Sequence, residues 1–490
     1  MLSACVYALA LGALVGGTAS DQKVLSPFAD EGGSTAATAF AITYGYPVTQ
    51  FALTFDSVLS SVGANSIINA NDTASAGSES VIRPNVDTLY SKFVVDLSHA
   101  DVILTIPDIG DDRYYVFPFY DFWSNNFANL GSLDKTAPGN YLLRPSPAPS
   151  QVGIELSDDA ASPYRGYVNY PTAYGAVFAR ILLRNQTEDL EVVHELQAQI
   201  GVVEVPRPGP ALAPHLTVDL LGGGALESLA PQFPGSFGRS ALQAMFDVVA
   251  EVAPFNRPAD PREAAAVAQR LAEAGVKDGS YSPPPDVDFT AANKLVSVSI
   301  AEVAEHMDSL GNDWENLPDE ESGNFGNRYA ARCYVGFLGY LQLVQHEAVY
   351  PAYTGSGLTG LSLGSDQSYL IKFVSGKPPV DGFWSITAYN NQSYLIDNSL
   401  DRYALGDRSN LTYPDGQPVY GDGDRNDPFS LLIQPSDVEP PANWTNNWLP
   451  APAGGGNFTV NLRFYGPEGT LLPGGSYVYP VVTKQKAITA

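Results

Sequence analysis

The chain changes its hydrophobic rhythm twice, and this constrains its fold more than any other feature. From Leu89 to Leu183 apolar residues alternate in short runs, "LYSKFVVDL", "DVILTIP", "RYYVFPFYDFW", "NYLLRP" and "YGAVFARILL", divided by turn formers such as "PDIGDD" and "DKTAPGN". A period of two puts successive side chains on opposite faces of a strand. From 186 to 350 the spacing becomes three-to-four, in "TEDLEVVHELQAQI", "RSALQAMFDVVAEV", "DPREAAAVAQRLAEAG", "TAANKLVSVSIAEVAEHMDSLG" and "FGNRYAARCYVGFLGYLQLVQHEAVY". That is the rhythm of helices with one buried face. Alternation then returns in "SYLIKFV", "FWSITAYN", "PFSLLIQP" and "NFTVNLRFYGP". An earlier stretch, residues 33–62, reads as helix broken near Pro47.

These periods need different layers, and 490 residues exceed one ordinary core. The expected architecture is α+β and multidomain. A mainly β N-terminal domain spans 20–185, a helical bridge 186–350, and a β-sandwich-like, jelly-roll-like domain 351–490. Residues 1–19 stand apart as an apolar run from Ala4 to Val15 followed by small residues, the pattern of a secretory leader cleaved near Ala19.

The sequence contains six N-x-S/T sequons, at Asn71, Asn185, Asn391, Asn410, Asn443 and Asn457. With the leader, they predict a secreted (extracellular) N-glycosylated protein. Of the two cysteines Cys5 lies in the leader, so the mature chain has no internal disulfide, and Cys333 reads as a buried small hydrophobe. Acidic residues exceed basic ones by 53 to 26, a formal charge of −27. Such a surface repels phosphate backbones and anionic lipid, so neither nucleic acid nor a membrane surface is expected as partner. No stable membrane anchor is expected either.

The usual catalytic motifs fail on their geometry. "GLSLG" at 360–364 would make Ser362 a nucleophile, but a strand-like run follows it and no histidine lies beyond His346. "HEAVY" has Tyr350 where a zinc helix needs its second histidine, "EVAEH" has Glu302 at the corresponding place, and "EVVH" is a single half-motif. "LGGGAL" lacks the spacing of a dinucleotide fingerprint. No metal and no cofactor is expected.

The stretch "SVIRPNVDTLYSKFVVDLS", 80–98, concentrates Arg83, Asn85 and Asp87 at a strand entrance. Pro84 disfavours helix at Arg83, and Asn85 and Asp87 suit a turn. Beyond them Leu89, Phe93, Val95 and Leu97 share one face, and Tyr90, Lys92 and Asp96 the other. In "RYYVFPFYDFWSNN", alternation puts Asp121 among Phe117, Phe119 and Trp123, where lost hydration would raise its pKa. A bulge at Pro118 would reverse that register. In "GFWSITAYN", Phe383, Ser385, Thr387 and Tyr389 lie opposite Trp384 and Ile386; with Arg402 and Arg463 they would line either a pocket or a sheet core.

"RPNVDTLYS", "VDLS", "RYYVFPFYD" and "NNFANLGS" resemble the domain of unknown function numbered 1254. "GFWSITAYN", "RYALGDR", Asp415-Gly416, "NWLPAPAGGGNF" and "LRFYGP" resemble its usual partner, numbered 1214, and "FGNRYAARCYVGFLGY" resembles the helix leading into it. The match covers most of residues 35–485. It implies β-rich domains around a helical section, often in secreted or periplasmic proteins, and carries over no catalytic residues. Ser399-Leu400 departs from the family's more usual proline after "DN".

The expected function is a cofactor-independent enzyme of hydrolase or lyase type, acting on a small organic molecule through acid–base carboxylates. Asp87 and Asp121 are its candidate catalytic groups, Arg83 and Arg402 would hold an anionic group with Asn85 nearby, and Tyr90, Trp123, Trp384 and Tyr389 would form walls. The alternatives are a non-catalytic extracellular binder of an apolar ligand or cell-wall glycan, or a structural glycoprotein.

Overall fold

The computed structural model describes residues 33–77, 83–355, 360–421 and 423–489. The expected secretory leader and Cys5 lie outside them. Two five-stranded sheets form the N-terminal β domain. One runs in the order Ile68–Asn69, Thr88–Asp96, Tyr174–Leu182, Tyr115–Asp121, Asn126–Gly131. The other runs Gly201–Pro206, Ala100–Ile106, Gly139–Pro145, Gly166–Tyr170, Gly153–Leu156. Leu89, Phe93 and Val95 of one sheet and Val102, Leu104 and Leu143 of the other close a common core, as alternation predicts.

The helix Gln186–Ala198 packs Val193 into this same core, and Gly201–Pro206 pairs with Ala100–Ile106. The N-terminal sheets therefore continue past the boundary expected at 185.

The helical layer draws on both ends of its segment. Ser34–Gly45 packs on Phe289–Glu305, Ala264–Glu273 and Tyr329–Gly339, and Pro47–Ser61 reaches both Tyr329–Gly339 and the Thr88–Asp96 strand. Cys333 is fully buried in this layer, and burial pushes its thiol far up. The long apolar pattern of 325–350 stops being helical at Gly339, and Leu341 takes a φ of 62°. The chain then runs irregularly to a two-residue strand, Ala348–Val349, on the C-terminal sheet. Its spacing resembled a helix because Leu341, Leu343 and Ala348 are all buried, although the chain that carries them is not helical.

In the C-terminal domain one sheet is built on the long pair Val380–Asn390 and Gly456–Pro467, flanked by Ala348–Val349, Ala404–Gly406 and Leu361–Leu363. It packs on a four-stranded sheet in the order Trp448–Ala451, Phe429–Pro435, Gln367–Phe373, Val481–Lys486. Trp384, Ile386 and Ala388 point into the core between the sheets with Ile371, Leu431 and Leu462. The opposite face of Val380–Asn390 looks at the N-terminal domain. No helix among the described residues is long and apolar enough to cross a membrane.

Candidate functional site

Two sheet faces meet between the β domains, and strand alternation decides what each presents. On Thr88–Asp96 and Tyr174–Leu182 the residues facing away from the N-terminal core include Tyr90 and Arg180; on Tyr115–Asp121 Tyr120 faces the same way. On Val380–Asn390 and Gly456–Pro467 the residues facing away from the C-terminal core include Phe383, Ser385, Thr387, Tyr389, Arg463 and Tyr465. Polar and aromatic groups thus confront one another across a buried interface.

Asp87 crosses this interface. Its Oδ2 accepts from Ser385 Oγ at 2.6 Å and its Oδ1 from Arg408 Nη2 at 2.6 Å, partners 298 and 321 positions away. Asn85 makes the expected turn, accepting from the Asp87 amide at 2.6 Å, and its Nδ2 donates to Tyr465 Oη at 2.9 Å. Arg83 holds a φ of 49°, a left-handed conformation costly for a side chain with a Cβ, while its amide donates to Ser393 O. Its Nε has no hydrogen-bond partner among the described residues, and burial pulls its pKa down. Tyr389 donates to Pro84 O at 2.8 Å and accepts from Arg463 Nη2 at 2.6 Å.

The other predicted residues have separate surroundings. Asp121 ends its strand just past a register break between Phe119 and Tyr120, and accepts from the amides of Trp123 and Asn125 and from Asn125 Nδ2. Burial raises its pKa against those bonds and the charge of Arg332. Trp123 lies in the helical layer, donating to Asn256 O, and Trp384 lies in the C-terminal core, donating to Tyr420. Arg402 donates to the carbonyls of Thr445 and Trp448. Asp87, Asp121 and Arg402 share no partner. The six sequon asparagines are all exposed.

Glu347 and Tyr350, from the rejected "HEAVY", belong to the interface. Glu347 is fully buried, and its Oε1 accepts from Tyr114 Oη at 2.7 Å while Oε2 has no hydrogen bond among the described residues. Burial lifts its pKa to about 7, with Asp134 adding to the rise and Tyr114 and Arg180 opposing it. Arg180 donates from Nη1 to Tyr350 Oη at 3.4 Å and Tyr465 Oη at 3.5 Å, and from Nη2 to Leu341 O at 3.5 Å; its Nε has no partner. Its guanidinium also lies 5.7 Å from the Tyr90 ring centre. Arg408 sits over Phe383 and binds Asp407, whose carboxyl burial lifts to about 6, with Asp87 adding to the rise and Arg408 opposing it.

Sequence reasoning missed Glu347 because it tested the segment only as a metal helix. It missed Arg180 by treating "YGAVFARILL" as a plain strand. The one available signal was a charged residue at an alternating position in an otherwise apolar strand. Two surface clefts, of about 460 and 570 Å³, lie elsewhere, along 139–165 and beside Arg239 and Phe289.

The chain matches two family models. "Protein of unknown function (DUF1254)" covers residues 64–204, and "Protein of unknown function (DUF1214)" covers 347–469. The VPA0106 protein of Vibrio parahaemolyticus has a crystal structure similar to this one, with a TM-score of 0.59 and 19% identity over 92% of this chain and 100% of that chain. A putative uncharacterized protein from Burkholderia cenocepacia aligns with a TM-score of 0.43 at 15% identity, over 94% of this chain and 92% of that one. No curated protein matches the chain.

Proposed function

We propose, for a chain that belongs to the proteins pairing a DUF1254 domain with a DUF1214 domain, that it is a secreted, N-glycosylated and cofactor-independent enzyme of hydrolase or lyase type. It acts on a small organic molecule between its two β domains, and Glu347 is its general base. One observation carries this reading: a fully buried carboxyl group with one oxygen held by Tyr114 and the other unbonded, beside Arg180. A base must ionise near working pH and have a free lone pair for the proton it takes. Glu347 meets both needs, whereas both oxygens of Asp87 are occupied by Arg408 and Ser385. Glu347 takes a proton from a water adding to an ester carbonyl and returns it to the alkoxide as the C–O bond breaks, or takes it from the carbon adjacent to the one bearing a leaving group, which departs with its bonding pair as the double bond forms and accepts that proton.

Turnover of a panel of aryl esters and β-hydroxy acids tests this. Glu347→Gln should remove roughly 10²–10⁴-fold of the rate, and wild-type kcat/KM should rise with pH through about 7. An unchanged rate in the variant would exclude Glu347 as base. A second reading, a non-catalytic binder, draws on the saturated Asp87–Arg408 pair, which ties the domains together without leaving Asp87 free to react.

A further inference from the structure

We infer that the molecule received between the sheets presents a carboxylate to Arg180 and Arg463 and an uncharged planar body to the surrounding tyrosines. This rests on the interdomain site proposed above and adds its chemical class.

The first ground is unbalanced charge. Arg180 is 8% exposed and Arg463 is 3% exposed. Neither they nor Arg83 form an ion pair with a carboxylate among the described residues. Arg463 donates from Nη1 and Nη2 only to neutral hydroxyls, Thr387 at 2.9 Å and Tyr389 at 2.6 Å. Every bond of Arg180 is 3.4 Å or longer, and Nε of both Arg180 and Arg83 has no partner. A buried guanidinium without a carboxylate at bonding distance is disfavoured, and its planar fork matches one at about 2.7–2.9 Å.

The second ground is internal comparison. Arginines elsewhere are held in two ways: some by carboxylates, and Arg332, fully buried in the helical layer, by the Tyr44 carbonyl and the rings of Tyr44, Trp123 and Tyr329 without an ion pair. Arg113, 3% exposed, holds Asp189 with two bonds at 2.5 and 2.8 Å, and Arg408 lies between Asp87 and Asp407. Arg180 and Arg463 share with Arg332 the lack of an ion pair, and differ from it in lying on the two polar sheet faces that confront each other.

The third ground is the wall. The Tyr465 ring stacks on Phe383 at 4.2 Å and meets Tyr350 edge-on at 6.1 Å, while Tyr90 lies against Arg180. These rings cover one another, so a planar apolar group received here takes the place of one of these ring contacts. Glu347 beside Arg180 disfavours a doubly charged ligand, so one carboxylate is the better match than a phosphate.

The test uses the full-length glycosylated protein with benzoate, benzamide and phenyl phosphate at one ionic strength, read by calorimetry. Benzoate should bind, benzamide should not, and phenyl phosphate should bind more weakly. Arg180→Lys and Arg463→Lys keep the charge and lose the fork, and each should weaken benzoate by about tenfold or more. Circular dichroism verifies that each variant is folded, and an unfolded one leaves the decision to the other variant and the wild-type ligand series. Benzamide binding as well as benzoate, phenyl phosphate binding more tightly, or no binding at all would each overturn the inference. Arginine-dependent benzoate binding beside a Glu347→Gln variant with unchanged turnover would keep the carboxylate class and remove the acid–base reading. Glu347-dependent turnover of a neutral ester without benzoate binding would do the reverse.

Discussion

Asp87 began as a turn residue with a possible chemical role and ends as half of a buried ion pair. Replacing it by asparagine leaves Arg408 without its cross-domain carboxylate. Asp87→Asn should therefore cost about 3 kcal/mol in a urea melt at pH 7. A change within about 0.5 kcal/mol, as expected of a mere surface position, would show that the pair contributes nothing. Glu347 predicts a pH dependence of stability. Its carboxyl lies at about 7 in the folded chain against an ordinary 4.5, so folding takes up a proton between those values. Stability then declines as pH rises through that window, by roughly 3 kcal/mol from this group. Glu347→Gln should remove this part of the slope, and equal slopes in melts from pH 4.5 to 7.5 would refute the assignment.

Among the elements, the short strand Ala404–Gly406 matters because it delivers Asp407 and Arg408 to the interface. Gly406 pairs with Ser385, and a Cβ on it would fall 2.1 Å from the Trp384 carbonyl oxygen, a backbone atom that cannot move aside. Gly406→Ala should push this strand off Val380–Asn390 and weaken the Arg408–Asp87 contact, losing about 2 kcal/mol or more. Combined with Asp87→Asn, the loss should fall short of the sum, because both changes break one contact. Strict additivity would place the effect of Gly406 elsewhere.

For the whole molecule, the two β domains and the helical layer share buried surfaces, with Tyr465 and Phe383 joining the same core as the first two helices. The protein should accordingly unfold in one cooperative transition, and two separated calorimetric peaks would contradict this. All six sequon asparagines are exposed, so a product expressed in a eukaryotic secretory host should run heterogeneously and sharpen after endoglycosidase. An intracellular product without glycan would remove the secreted reading.

Much of this fold was legible locally. A period of two named the strands, and it separated Trp384 and Ile386 from Ser385, Thr387 and Tyr389 correctly, because a strand's faces follow from backbone pleating alone. Turn chemistry likewise gave the Asn85 bond to the Asp87 amide. Burial misled where it did not come from a regular element: Leu343 and Ala348 looked helical because tertiary neighbours cover them, and this hid Glu347 in an irregular segment. Which faces meet was not legible at all. Asp87 finds Arg408, and Arg180 lies near Tyr465, across some three hundred positions of chain, and no local preference encodes a contact between separate sheets. The polar interface between the domains exists because packing brings two polar faces together and excludes water from their charges.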